Sequence, residues 1–216
     1  MRILCISDIH GYATALEQML QFGKSQGCTT VLAAGDLCFP GPQPLQCWQM
    51  LQSVHAHCVK GLADIALATM KPDQLVATND HERQRLETLR NAQEALGKAN
   101  LARIHRLPMR FRMTLEDGGE LLLVHGSPAD PTTAMTHDMP DDEIGALLGD
   151  ETESVVVCGG DHVPFDRFVQ DCRVVAAGSV GMAPTEGVAH GAILDTSPSG
   201  MHVRLIQLVL ARSPAD

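Results

Sequence analysis

No stretch of this 216-residue chain supplies the roughly 18 consecutive apolar residues of a membrane-spanning helix. The amino terminus runs straight into a strand-like segment, without the basic, apolar and small-residue succession of a signal peptide, so a cytoplasmic protein is expected. Positive charge is short: 16 Lys and Arg stand against 26 Asp and Glu, a formal net charge of −10. That balance argues against a protein that grips nucleic acid by neutralising phosphates. A phosphate-bearing ligand would need a local cation, which a bound metal would provide. Paired cysteines are missing too. The seven, at positions 5, 28, 38, 47, 58, 158 and 172, include no C-x-x-C spacing. They are expected as reduced, small core residues of a cytosolic protein rather than a disulfide framework or a zinc–thiolate site. Repeats, low-complexity tracts and linkers are absent as well, so one domain over residues 1–216 is expected. No sequence feature sets the number of subunits.

What is present begins at the first ten residues. Arg2-Ile3-Leu4-Cys5-Ile6 is a short apolar run that reads as a strand buried on both faces, and it breaks into Ser7-Asp8-Ile9-His10-Gly11. In open α/β sheets ligands sit at the carboxyl ends of strands. Asp8 and His10, two residues apart, can turn an oxygen and a nitrogen toward one ion. The plain alternative is that Asp8 caps the following helix and His10 is a turn residue.

Residues 13–26 carry a helical apolar stripe that Gly27 ends. Residues 29–34 form a second apolar run ending in Gly35-Asp36, residues 37–44 are Pro- and Gly-rich loop, residues 46–54 read as helix, and residues 56–59 as a third short strand. This alternation implies a parallel sheet. Asn79-Asp80-His81-Glu82 opens a long charged helix over residues 78–97 with the shape of a capping box, and Arg83 and Arg85 fit its solvated face. From residue 109 the pattern turns to strands. Glu116-Asp117-Gly118-Gly119 reads as a hairpin turn, residues 140–148 as a short acidic helix, and residues 121–124 and 155–158 as buried strands. Shorter strands over 173–177, 187–195 and 202–210 suggest a second sheet facing the first.

Four apolar runs thus end in metal-competent residues: Asp8 with His10, Asp36, His125 and His162, each with glycine nearby. The motifs Asp8-x-His10, Gly35-Asp36, Val124-His125-Gly126 and Gly159-x-x-His162, in this order, resemble those of the calcineurin-like metallophosphoesterases. The loop 35–44 and Gly178-Ser179-Val180-Gly181 narrow the resemblance to the small prokaryotic phosphoesterase branch. It implies an α/β fold of two facing mixed β-sheets flanked by helices on both outer faces. It also implies a two-metal centre: Asp8, His10 and His162 on the first ion, Asp36 bridging, and His125 on the second, with Asp36, His125 and Asp64 as the catalytic set. The ions suited to mixed carboxylate and imidazole donors are Mn, Fe, Zn, Co or Ni.

The chain departs from the family pattern selectively. Gly61-Leu62-Ala63-Asp64 carries Leu62 where an Asn ligand of the second metal is usual, and Ala63 where a histidine often stands. Gly160 replaces a second-site His. Asp161 is a candidate substitute carboxylate, and Gly178-Ser179 either a tight turn or a donor of N–H groups to phosphate. His55, His57, His105, His137, His190 and His202 match no motif and read as surface or hydrogen-bonded side chains, as Lys60 reads as solvated. The expectation is metal-dependent hydrolysis of a small phosphate ester, monoester or diester, at one full site and one weakened site. The alternative is a degenerate member serving as a binding or scaffold module, for which the eukaryotic retromer subunit is a family precedent.

Overall fold

A computed structural model describes residues 1–150 and 153–211. The first strand shows how the chain builds its layers. In β1 (Arg2–Ile6), Ile3 and Cys5 enter one apolar cluster while Leu4 and Ile6 enter another on the opposite face. A strand alternates its side chains between faces, so an unbroken apolar run belongs where both faces are covered. The same holds for β5 (Glu120–Val124) and β6 (Val155–Cys158): Leu121, Leu123, Val155 and Val157 meet Ile3 and Cys5, while Leu122, Val124, Val156 and Cys158 face away.

Two five-stranded sheets result. The first has the order β10 (Gly200–Val209), β9 (Val188–Ser197), β1, β2 (Thr30–Ala33), β3 (His57–Cys58). Its β1, β2 and β3 are parallel, and β9 is antiparallel to both β1 and β10. The second has the order β4 (Arg110–Thr114), β5, β6, β8 (Cys172–Ala176), β7 (Phe165–Val169), with β5, β6 and β8 parallel and an antiparallel strand on each edge. The helices α1 (Ala13–Ser25), α2 (Pro44–Ser53) and α4 (Asp80–His105) supply Leu16, Met19, Trp48, Leu51, Leu89 and Leu96 to the outer core of the first sheet. The helix α5 (Asp141–Leu148) places Ile144 and Leu148 on the outer face of the second. The expected architecture of two facing sheets between helical layers is therefore the observed one.

Several local expectations are corrected. The carboxyl-terminal strands do not all join the second sheet: β9 returns beside β1, with Arg2 Nε 2.5 Å from Asp195 Oδ1 across the pair. Its stretch 188–194, apolar but for His190, is buried throughout, which needs the cover on both faces that an interior position supplies. The edge strand β7 was not anticipated because its residues Phe165-Asp166-Arg167 mix polar and apolar types. Its pairing rests partly on the Arg173–Asp166 bridge to β8, at 2.7 Å. A helix α3 (Leu62–Thr69) occupies a stretch that carries no stripe pattern, and α4 continues past residue 97, where Gly97 takes φ 70° and kinks it. Lys60 keeps an exposed hydrogen bond, its Nζ donating to the His105 carbonyl at the end of α4 at 2.9 Å. All seven cysteines are unpaired, and burial pushes the Cys47 and Cys58 thiols up to about 12, leaving them inert packing groups. Trp48 is core, its Nε1 donating to Asn100 Oδ1 at 3.2 Å. Among the described residues no helix is long and apolar enough to cross a membrane.

A candidate metal centre at the strand ends

The carboxyl ends of the parallel strands β1, β2, β5 and β6 lie side by side at one end of the sandwich, and the loops leaving them are tied together by backbone bonds. Asp8 N donates to Gly35 O (3.1 Å), His10 N to Asp36 O (2.8 Å), and Gly159 N to His125 O (2.9 Å). Six non-glycine residues among those described take positive φ, and four of them are Asp8 (52°), His10 (51°), Asp36 (52°) and His162 (64°). Left-handed backbone is disfavoured for any residue with a Cβ. Its concentration here marks a place where surrounding structure holds strain to aim side chains.

The aim is inward. His10 Nδ1 lies 2.7 Å from Phe39 O, His125 Nδ1 2.8 Å from Ala34 O, and His162 Nδ1 3.0 Å from Met182 O. A carbonyl only accepts, so in each ring Nδ1 carries the proton and donates it. Each neutral ring then presents a bare Nε2 lone pair to the centre, the arrangement by which an outer hydrogen bond sets a metal-binding tautomer. The Nε2 atoms of His10 and His162 stand 3.1 Å apart. Two lone pairs at that distance repel unless a proton or a cation lies between them.

The carboxylates complete the nest. Asp8 is fully buried; its Oδ2 accepts from Gly160 N at 2.9 Å, while Oδ1 has no hydrogen-bond partner and faces His162 Nε2 at 3.2 Å and His10 Nε2 at 3.7 Å. Burial pushes the Asp8 carboxyl up, but His162, His125 and the Gly160 N–H outweigh it and hold the group below the ordinary aspartate value. His162 is correspondingly raised, chiefly by Asp8. This is the attraction a bound cation would satisfy. Asp36 accepts from Ala63 N through Oδ1 (2.8 Å), and its Oδ2 lies 3.5 Å from His125 Nε2 and 3.9 Å from His10 Nε2, between the two sides of the nest.

Two donor groups emerge, Asp8–His10–His162 and Asp8–Asp36–His125, each with its ligand atoms within 4.8 Å of one another. All five sequence-derived metal candidates are therefore brought together, and Asp8 belongs to both groups. An orphaned buried carboxylate oxygen, two opposed lone pairs and a mixed imidazole–carboxylate set fit a divalent ion of the Mn, Fe, Zn, Co or Ni class.

Asp64 sits behind this nest rather than in it. It is fully buried, Oδ1 accepting from Leu37 N (2.9 Å) and Oδ2 from Gly61 N (3.0 Å), and so it ties the loop after Asp36 to the start of α3. Burial, with Asp36 nearby, pushes its carboxyl up to about 7 against the pull of those two N–H groups. Leu62, the first residue of α3, is 47% exposed. A Cβ on Gly160 would stand 3.8 Å from His125 Nε2, so a side chain at 160 would start beside the second donor group. Asp161 turns away from the nest, its Oδ2 accepting from His137 N (3.0 Å) and pairing with His137 Nδ1 (2.9 Å). The segment 178–181 ties down the end of β1: Val180 N donates to Ser7 O, and Gly181 N and Ser179 Oγ donate to Asp8 O. Asn79 caps α4, Oδ1 accepting from Glu82 N at 2.8 Å, as its spacing predicts. Glu82 reaches back to Thr78 rather than to Asn79.

A cleft of about 810 Å³ opens directly from Asp36, between α3 and the first turns of α4. Sequence reasoning missed it, because α3 has no stripe signature and the polar start of α4 looks like any solvated helix. A second cavity of about 500 Å³, between α1 and α2, includes no residue of the donor nest.

Comparison with known proteins agrees with the geometry. The model of a calcineurin-like phosphoesterase superfamily domain matches residues 1–199. No curated protein matches the sequence. Among solved structures, a hypothetical protein from Pyrococcus horikoshii superposes with a TM-score of 0.83 at 21% identity, over 98% of this chain and 89% of that one. A metallophosphoesterase from Sphaerobacter thermophilus gives 0.77 at 21% identity over the same shares. A Vps29 from Entamoeba histolytica complexed with Zn²⁺ gives 0.57 at 16% identity, over 98% of this chain and all of that one.

Proposed function

Because this chain belongs to the calcineurin-like phosphoesterase superfamily, we propose that it hydrolyses a small phosphate ester at the nest formed by Asp8, His10, Asp36, His125 and His162. A divalent ion held there supplies a Lewis acid for the phosphoryl oxygens and a water activated for attack at phosphorus. The observation that carries the reading is the convergence of three Nε2 lone pairs, each ring locked by a backbone carbonyl, on two carboxylates of which one has an unpartnered buried oxygen. The chain's own contributions are fixed positions. His10 and His162 with Asp8 form a full set for one ion, and Asp36 is aimed between the groups by the Ala63 N–H. Asp64 is a positioning residue for that same loop.

The second group is the weaker one in this reading, since Leu62 offers no donor and Gly160 no side chain. Hydrolysis is then slower than at a fully furnished pair. The net charge of −10 and the unpaired cysteines support a cytoplasmic enzyme of small esters rather than of nucleic acid.

The test is hydrolysis of p-nitrophenyl phosphate and bis-p-nitrophenyl phosphate by metal-stripped protein resupplied with Mn²⁺, Zn²⁺, Co²⁺ or Ni²⁺. Wild type should turn over with at least one ion, and Asp36→Asn, which keeps an acceptor for Ala63 N–H, should lose that activity. The exposed control His105→Ala should match wild type. If wild type and Asp36→Asn are equally inert with every ion while both remain folded, the enzyme reading gives way to a binding or scaffold role.

A further inference from the structure

The cleft beside the nest is far larger than a phosphoryl group needs; volumes of several hundred Å³ accommodate whole organic ligands. It is continuous with the centre through two residues that belong to both, Asp36 and Phe39, the latter holding His10 Nδ1 by its carbonyl. One wall is apolar: Phe39, Leu62 and Ala66. Leu62 is 47% exposed, an unusual amount of bare apolar surface beside so polar a cluster. The facing wall is the start of α4, where His81 and Arg85 line the cleft. Residues four apart share a helix face, so these two side chains act on the same space.

Arg85 differs from the arginines around it. Arg83 is paired with Asp80 at 2.7 Å and Arg90 with Asp73 at 3.0 Å, whereas Arg85 has no ion pair or hydrogen bond among the described residues. On a chain of net charge −10, an uncommitted guanidinium lining a cleft that reaches Asp36 of the nest is a place for a ligand's anion.

We infer that this cleft is the recognition subsite for the organic part of the substrate, and that it selects a phosphoester whose substituent has a flat apolar body and a second negative charge. The body lies against Phe39 and Leu62, and the second anion meets Arg85 with His81 beside it. This deepens the phosphoesterase reading and rests on it for the placement of the reacting phosphorus. In the reaction, the P–O bond from water forms as the P–O bond to the substituent's oxygen breaks. One proton of the water ends on the leaving oxygen and the other on the phosphate product or in solvent.

Adenosine 3′,5′-bisphosphate, adenosine 5′-monophosphate and p-nitrophenyl phosphate separate the elements: nucleoside body plus second anion, nucleoside body alone, and a smaller aryl body with no second anion. For the enzyme with Mn²⁺, kcat/KM from phosphate release should be highest for the bisphosphate. Arg85→Ala should lower the bisphosphate-to-p-nitrophenyl phosphate ratio about tenfold, Arg85→Lys should recover part of it, and Arg83→Ala, outside the cleft, should leave it unchanged. Calorimetric titration of the bisphosphate into metal-free protein gives a readout independent of turnover, where Arg85→Ala should weaken binding about tenfold. If the ratio and the bisphosphate affinity are both unmoved by Arg85→Ala, the subsite assignment is wrong even where wild type is active. If wild type shows no turnover yet binds the bisphosphate through Arg85, the subsite stands and the hydrolytic reading falls.

Discussion

Gly61→Ala isolates the mechanical link between α3 and the metal nest in a single methyl group. Gly61 sits at φ −102°, ψ −173°, backbone that alanine adopts freely, so the substitution adds no backbone strain. By restricting the unfolded chain it would even stabilise by about 0.4–1 kcal/mol. The added Cβ, however, would overlap Asp36 Oδ1 and stand 2.7 Å from Asp36 N and 2.9 Å from its Cγ. Backbone on both sides is pinned, by Asp64 to Gly61 N and by the β2 loop, so the carboxylate must withdraw by roughly 1 Å to reach ordinary contact. That breaks the bond from Ala63 N, and a hydrogen bond to a charged group is worth about 1.5–3 kcal/mol. The net loss is about 1–2 kcal/mol, which for a chain of this size lowers the melting temperature by roughly 2–8 °C. Displacing Asp36 Oδ2 from its place near His125 and His10 should weaken metal binding about 10–100-fold, as disturbed support of a ligand does. Melting of metal-stripped protein measures the first effect and calorimetric Mn²⁺ titration the second. A Gly61→Ala protein with unchanged melting temperature and full Mn²⁺ affinity would refute the link between the start of α3 and the aim of Asp36.

Two further outcomes follow from the site. In metal-free protein the raised Asp64 pKa means that the folded state holds a proton the unfolded state releases between pH about 4 and about 7, so stability contributed by this group is present below that window and lost as pH rises through it; Asp64→Asn should flatten that part of a melting-temperature-versus-pH curve, and an unchanged slope would exclude Asp64 as its source. Leu62→Asn with Gly160→His should raise Mn²⁺ stoichiometry from about one toward two and increase hydrolysis, with lower stability because position 160 takes φ 84° and a Cβ there lies 3.0 Å from Ala134 Cβ. A folded double variant that gains neither metal nor rate would remove these two residues as the cause of a weak second group.

The candidate ligands were legible because their signal is local. An apolar strand that stops at a carboxylate or an imidazole announces itself within a few residues, and four such endings, two in each sheet, set Asp8, His10, Asp36, His125 and His162 at the carboxyl ends of strands. The hairpin before β5 and the α4 cap were readable for the same reason: the turn and cap residues act on neighbours two or three positions away. What the sequence leaves open is whatever depends on partners far along the chain. The return of β9 to β1 depends on which surface remains uncovered after eight strands have paired, and no window of residues contains that information. The tautomers of the three histidines depend on carbonyls 20 to 91 residues away. Asp161 could be a ligand by spacing, and it is taken out of the nest by His137, 24 residues upstream. The cleft is likewise a tertiary product: Asp36 ends a legible strand, but Leu62 and Arg85, which line the cleft with it, come from segments with unremarkable patterns of their own. Chemistry held within one strand end was written in the chain. The direction each group faces, and the space left between groups, were decided by packing, because burial and hydrogen-bond closure are properties of the assembled surfaces and not of any one segment.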